Sequence, residues 1–222
     1  MSMARERILS RVRNAVTGGR EGDWRAELDR RVEQAPQLIR PKLPDDLFAR
    51  FSEKLALGGG TCERLDAASQ VLEAIARFLK ANELAPKLRV APALQGMVWG
   101  DGFDTSFGNT RGDDLVSVTP AFCAVAETGS VVLLSSEQSP TSLNFLPDVH
   151  IVIVGMKQLV PHYEDVWVKL RALGEVPRAV NFITGPSKTA DVEQTLQIGA
   201  HGPRKLHVFL VADLGIDDPA LS

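Results

Sequence analysis

The run His150-Ile151-Val152-Ile153-Val154-Gly155 most restricts what this chain can become. Between the histidine and the glycine every residue is apolar. Successive strand side chains point to opposite faces, so both faces of this strand must be covered. That is the condition of a parallel sheet held between layers. From about Pro44 the surrounding pattern alternates in the same sense. A helix is predicted over Asp45–Leu57, with Asp45 or Asp46 in its first turn, ending at Gly58-Gly59-Gly60. A strand follows at Thr61–Leu65. Ala67–Asn82 is the clearest amphipathic helix, with Val71, Leu72, Ile75, Phe78 and Leu79 on one side. Leu88–Ala91 reads as a buried strand, Gln158–Leu173 as a helix and Ala179–Ile183 as a strand. Thr189–Ile198 reads as a helix and Leu206–Val211 as the last strand. Leu115–Ser136 reads as strands broken by a turn at Glu127-Thr128-Gly129, so the sheet is expected to be mixed. The Gly- and Asp-rich stretch Trp99–Asp114 reads as a long loop. The fold class predicted over 45–222 is α/β, with a mixed, mostly parallel sheet flanked by helices.

Residues 1–44 read differently, as a helical arm and linker. Residues 4–16 place Ile8, Leu9, Val12 and Val16 on one helical face, with arginines opposite. A Gly-rich break precedes a second helical stretch, Trp24–Gln34. Three prolines between Ala35 and Pro44 favour extended chain. The arginines are read as a solvated helix face. A docking arm for a partner is the alternative.

Charge and cysteine usage narrow the function. The 222 residues carry 25 basic and 28 acidic side chains, a net charge of −3, which argues against broad nucleic-acid binding. Two cysteines, Cys62 and Cys123, suit a reducing compartment and exclude a disulfide framework. They are also too few for a self-contained iron–sulfur cluster or a Cys₄ zinc site. No apolar run reaches the length of a membrane span, and no signal-peptide pattern follows Met1, so a cytoplasmic protein is expected.

Three stretches carry chemistry. In the first, Thr184-Gly185-Pro186-Ser187-Lys188-Thr189 joins a predicted strand to a predicted helix. Backbone N–H groups, the Ser187 and Thr189 hydroxyls and the Lys188 ammonium would then sit at a helix N-terminus, where anions are attracted. Asp191 lies just beyond. The competing reading is a plain helix cap with a glycine turn. A Walker A loop fails because Ser187 and Phe182 stand where glycines are required. A G-x-S-x-G elbow fails at Thr189. In the second stretch, Ala126-Glu127-Thr128-Gly129-Ser130, Glu127 is a candidate base or nucleophile at a sheet end. The alternative is a turn carboxylate bonded to local groups. In the third, Asp101, Asp104, Asp113 and Asp114 could hold a divalent cation, and Arg111 could meet a substrate carboxylate or one of these aspartates. Gly100-x-Gly102 lacks the third glycine of a dinucleotide loop, because Thr105 stands there. Among the histidines, His201 is the candidate for proton transfer, or else a helix C-terminal cap. His207 reads as packed in a strand and His162 as lying on a helix surface. A metal site from His150, His201 and an acid has no supporting local spacing, so no metal site is expected.

Three ordered motifs carry a family resemblance: "AETGSVVL" (Ala126–Leu133), "LNFLPDVHIVIV" (Leu143–Val154) and "GPSKTADVEQTLQIGAHGP" (Gly185–Pro203). They resemble the lactate-utilisation protein C family, the LUD domain, closely over Leu115–Val211. The resemblance implies a fold similar to sugar-phosphate isomerases and coenzyme A transferases. It implies a role in oxidising L-lactate to pyruvate beside iron–sulfur partner proteins, which would carry the clusters this chain lacks. By fold analogy Glu127 is similar in place to the catalytic glutamate of coenzyme A transferases. The expected function is an accessory or substrate-binding component. Gly185, Ser187, Lys188, Thr189 and Asp191 would form one side of an anion cleft, and Glu127, Thr128 and Gly129 the other. A stand-alone transferase or isomerase and an assembly subunit are the alternatives.

Overall fold

The computed structural model describes residues 3–17, 24–34, 40–190, 196–199 and 201–214. The chain divides into two compact units, Met1–Pro41 and Lys42–Ser222. The first holds α1 (Met3–Thr17) and α2 (Trp24–Glu33). Ile8, Leu9 and Val12 of α1 are exposed. On α2, Glu27 pairs with Arg30 and Arg31 one turn on, contacts of a kind that stabilise an exposed helix only slightly.

The second unit begins with α3 (Leu47–Gly58), whose first turn is capped by Asp46: its Oδ1 accepts the Ala49 N–H at 2.9 Å. Then follow β1 (Thr61–Leu65), α4 (Val71–Ala81), β2 (Lys87–Val90), β3 (Asp104–Phe107), β4 (Val116–Pro120), β5 (Cys123–Val125), β6 (Ser130–Leu134), α5 (Ser142–Phe145), β7 (Val149–Gly155), β8 (Leu159–Val160), α6 (Tyr163–Ala172), β9 (Val180–Ile183), β10 (Lys188–Ala190), β11 (Leu196–Ile198) and β12 (Lys205–Val211). Six strands form a sheet in the order β1-β12-β7-β4-β2-β3, with every pairing parallel. A second sheet of four has the order β8-β5-β6-β9, and β10 pairs with β11 alone.

The two-residue period of β7 builds the layers. Val149, Ile151 and Ile153 enter a core with Val71, Ala74, Ile75 and Leu79 of α4. Val152 and Val154 face the other way, into a core with Phe51 and Leu55 of α3 and with Ala124, Val131 and Leu133 of the second sheet. β12 divides in the same manner: Phe209 and Val211 join the first core, and Leu206, Val208 and Leu210 the second. The far face of the second sheet, with Cys123, Val125 and Val132, packs against Val166 and Leu170 of α6. The order of layers is α4, main sheet, α3 with the second sheet, then α6.

Three expectations change. The antiparallel hairpin of β5 and β6 lies in the second sheet, so the main sheet is wholly parallel rather than mixed. The stretch read as a loop over Trp99–Asp114 contributes the edge strand β3, paired in parallel with β2. Its alternation of Thr105 and Phe107 is too short to stand out among glycines and aspartates. The helix expected over Gln158–Leu173 starts only at Tyr163, because Leu159 and Val160 pair with β5 instead.

Gly129 shows how closely the layers meet. Its φ is +69°, and a Cβ there would lie 2.2 Å from the Leu55 backbone nitrogen of α3. Gly129→Ala should therefore cost about 2–4 kcal/mol, through both backbone strain and collision with a helix backbone that cannot retreat. Urea unfolding of the two proteins checks this, and a change below about 0.5 kcal/mol would contradict the packing described.

Candidate functional site

The segment Thr184–Lys188 does not enter a helix. Lys188–Ala190 pairs antiparallel with Leu196–Ile198, in the register Lys188↔Ile198, Thr189↔Gln197 and Ala190↔Leu196. This corrects the helix predicted over Thr189–Ile198. Backbone groups that a helix would satisfy locally are satisfied across a short strand pair, and β-branched Thr189 and Ile198 suit that state. The reading of a helix N-terminus that attracts an anion loses its basis here. So do the readings of Ser187 or Thr189 as a helix cap and of His201 as a C-terminal cap. Asp191 lies outside the described residues.

What holds the segment is its contact with the end of α3. A Cβ on Gly185 would lie 2.5 Å from the Gly58 carbonyl oxygen, and one on Gly58 would lie 2.0 Å from that of Thr184. The two glycines let the backbones touch. Lys188 follows the same surface: a Cβ on Gly59 would lie 2.8 Å from its Nζ. The ammonium thus sits at the C-terminal turn of α3, where the helix dipole favours a cation. On the other side, the Ser187 N–H donates to the Pro203 carbonyl at 2.8 Å, and the Gly199 N–H donates to the Ser187 carbonyl at 2.9 Å. This brings 185–187 beside 199–203.

The result is a cleft of about 250 Å³. It is lined by Asn144 and Phe145 of α5, His150 of β7, Phe182, Ile183, Thr184, Gly185 and Ser187 at the end of β9, and His201, Gly202, Pro203 and Leu206 before and in β12. His150 and Leu206 are direct partners across β7 and β12, near the first residues of both strands. The cleft therefore opens at the amino ends of the central strands, not at the carboxyl ends where open α/β sheets usually bind ligands.

Two of its side chains are fully buried and carry polar atoms without partners among the described residues. Neither Asn144 Nδ2 nor Oδ1 has a hydrogen bond, and neither has His150 Nδ1. Leaving such groups unsatisfied costs about 1–3 kcal/mol each, so a buried amide and a ring nitrogen on a cleft wall mark the place where a bound molecule would hydrogen-bond. His150 uses its other nitrogen: Nε2 is 2.7 Å from Thr119 Oγ1. Burial pushes its pKa down to about 3, so the ring on the cleft wall is neutral imidazole, a hydrogen-bonding group rather than a cation.

Of the residues singled out in the sequence, Gly185, Ser187 and His201 line this cleft. Glu127, Thr128, Gly129 and Lys188 do not. The Glu127 carboxylate stands at the start of α6: Oε2 accepts the Tyr163 N–H at 3.1 Å and lies 3.4 Å from His162 Nδ1. Asp165 caps the same turn by accepting the His162 N–H at 3.0 Å. Thr128 reaches the cleft indirectly. Its Oγ1 is 2.8 Å from Ser130 Oγ, which is 2.7 Å from Thr184 Oγ1, so three hydroxyls connect the Glu127 turn to the cleft rim. Thr189 lies in β10. Asp114 is bound to Arg89 at 2.8 Å, and among the described residues no three His, Cys, Asp or Glu side chains are grouped to hold a metal ion. Asn144 was missed. Its signal was a polar residue inside the apolar stretch Leu143–Leu146, which a short helix turns inward.

A family match falls on the same region. Residues 115–211 match the family described as LUD domain. Every residue lining the cleft lies within this stretch. Lactate utilization protein C of Geobacillus kaustophilus (strain HTA426) is 39% identical over 93 residues, covering 40% of this chain and 39% of that protein. Lactate utilization protein C of Bacillus subtilis (strain 168) is 40% identical over 102 residues, covering 44% of this chain and 42% of that protein. The chain thus aligns with about two fifths of the length of these curated relatives. A crystal structure of a DUF162 family protein from Deinococcus radiodurans shares the fold, with TM-score 0.57 and 21% identity, and covers 78% of this chain and all of that one.

Two outcomes follow for this domain. Replacing the unsatisfied amide by Asn144→Leu should leave stability unchanged or raise it by about 1 kcal/mol, since an apolar group needs no partner. A loss above about 2 kcal/mol in urea unfolding would mean that Asn144 is a structural amide. The second concerns pH. Burial also lowers His207, to about 4. The unfolded chain protonates both histidines near pH 6.5, so below that pH the unfolded state binds more protons. Stability present above pH 6.5 is lost progressively as pH falls toward 4 and 3. At full slope each histidine contributes about 1.4 kcal/mol per pH unit. Urea titrations from pH 6.5 to 5 should show this fall, with the slope roughly halved in His207→Gln.

Proposed function

We propose that this chain is a component of a lactate-utilisation system whose cleft binds a small anionic acid of the lactate and pyruvate type. The observation that carries the reading is the pair of buried, unpartnered groups, Asn144 and His150, on the wall of a cleft of about 250 Å³. That volume lies below the ~300–1,000 Å³ of drug-sized sites and suits a ligand of few atoms. The lining matches a 2-hydroxy or 2-keto acid. Phe145, Phe182, Ile183 and Leu206 offer apolar contact to a short carbon chain. The Asn144 amide, the His150 ring nitrogen and the Thr184 and Ser187 hydroxyls offer hydrogen bonds to a carboxylate and to the 2-oxygen. His201, exposed at the rim, is the group placed to exchange a proton with the 2-oxygen. The name of the curated relatives supports the pathway.

Oxidation of such an acid releases two electrons. With two cysteines in the chain, iron–sulfur carriers would lie on partner proteins. Glu127 has no place in this reading as nucleophile or base, because its carboxylate is engaged with the first turn of α6.

Thermal unfolding against lactate, pyruvate, phosphate and coenzyme A tests it. At a concentration 100 times Kd a ligand of the folded state adds about 2.7 kcal/mol, an upward shift of roughly 5–10 °C. Lactate or pyruvate should give that shift. Asn144→Leu and His201→Ala should remove or reduce it, and Lys188→Ala should not. No shift with either acid, or a shift indifferent to Asn144→Leu, would overturn the assignment.

A further inference from the structure

A second cleft, broader and of about 650 Å³, lies elsewhere on the domain. Three segments make it: Asn109–Arg111 between β3 and β4, Ser135–Ser142 between β6 and α5, and Arg178 just before β9. It shares no lining residue with the first cleft. Arg111 and Arg178 are both exposed, and among the described residues neither guanidinium has an ion-pair or hydrogen-bond partner.

The hydroxyls between them have a common bonding state. Ser135 Oγ accepts the Ala179 N–H at 2.8 Å, Ser136 Oγ accepts the Ser139 N–H at 3.0 Å, and Ser142 Oγ accepts the Thr110 N–H at 3.3 Å. Each oxygen thus already accepts a hydrogen bond from the backbone. What each serine has left to offer is its own O–H, which finds no acceptor among the described residues. Thr110 differs. It accepts the Gly112 N–H at 3.1 Å and its hydroxyl serves the Asp114 carboxylate, where burial raises the pKa but the Arg89 guanidinium and this hydroxyl bring it below its ordinary value. Three hydroxyl donors and two guanidinium forks line one concavity, and Glu137 is the carboxylate among its walls.

From this excess of donors we infer that the cleft between Arg111, Arg178 and Ser135–Ser142 is a second ligand site, for a small molecule bearing a phosphoryl group. A carboxylate presents two oxygens, too few for so many donors. A phosphoryl group presents three, each a strong acceptor, and matches the planar guanidinium fork. Glu137, which would repel a bare anion, accepts a hydroxyl or N–H from the rest of the ligand. The site is held together by backbone bonds to its own serines, so it stands formed before a ligand arrives. Arg111 lies outside the 115–211 stretch matched by the LUD family, so half of the guanidinium pair comes from a part of the chain that the family match does not include.

Calorimetric titration of the full chain with inorganic phosphate, adenosine monophosphate and succinate, at low and high salt, tests the proposal. Phosphate and the nucleotide should bind, the nucleotide more tightly because it also reaches Glu137, and succinate should bind at least tenfold more weakly than the nucleotide. Affinity should fall about tenfold or more in Arg111→Ala and in Arg178→Ala, with a smaller loss in Ser136→Ala, and should weaken as salt rises. These exposed substitutions should leave the circular dichroism spectrum and the lactate-induced thermal shift unchanged, which separates this site from the Asn144 cleft. No binding of either phosphoryl probe up to about 10 mM, wild-type affinity in both arginine variants, or succinate binding as tightly as the nucleotide would overturn the assignment.

Discussion

The parallel pairing of β7 with both β12 and β4 governs the rest of this structure. All seven residues of β7 are buried, and its period of two sends alternate side chains into two separate cores. A strand without a solvated face needs a layer on each side. α4 supplies one layer. The other is composite, formed by α3 and a small second sheet whose outer face then needs α6. His150 shares its parity with Val152 and Val154, so it emerges on the composite side, at the point where the apolar strand begins. A polar ring there is buried, and the buried amide of Asn144 on α5 lines the same cleft. The same rule that fills the core with Val and Ile makes this one polar corner energetically costly unless something binds in it.

The close backbone contacts around that corner serve a single end. Gly58 and Gly185 allow the end of α3 to touch the turn after β9, and Gly129 lets the turn between β5 and β6 pass beneath α3. Through these contacts the Glu127 turn, the hydroxyl chain Thr128–Ser130–Thr184 and the cleft rim form one connected surface. Bulk at any of the three glycines would separate the second sheet from the helix and with it the wall that carries Ser187. The glycines thus position backbone, whereas the groups proposed to meet a ligand are an asparagine, two histidines and hydroxyls.

Much of the fold was legible because it follows from local period. β1 was read to its observed bounds, and β2, β12, α3 and α4 within a few residues, since an apolar stripe at 3.6 or a buried run of four to seven residues leaves little choice. Legibility failed where segments were short. Leu159–Val160 and Lys188–Ala190 are strands only because a partner lies beside them, and no window of their own residues could announce it. The candidate cleft was legible in part: Gly185 and Ser187 were picked out for a helix N-terminus where strand β10 stands instead, and His201 for proton transfer from a Gly-flanked loop. Glu127 drew notice as an acid in a turn, and the structure places it against the first turn of α6 instead.

The amino-acid sequence alone determined that this is an α/β protein with a central strand buried on both faces, and that three ordered motifs resemble a LUD domain. Those follow from residue identity and spacing along one line. The tertiary structure decided that Asn144, His150, Ser187 and His201 share a wall, and that Arg111 and Arg178 share another. Both depend on which strands become neighbours, as β12 does with β7. That choice is made by the fit of whole faces against one another, a quantity no single segment contains.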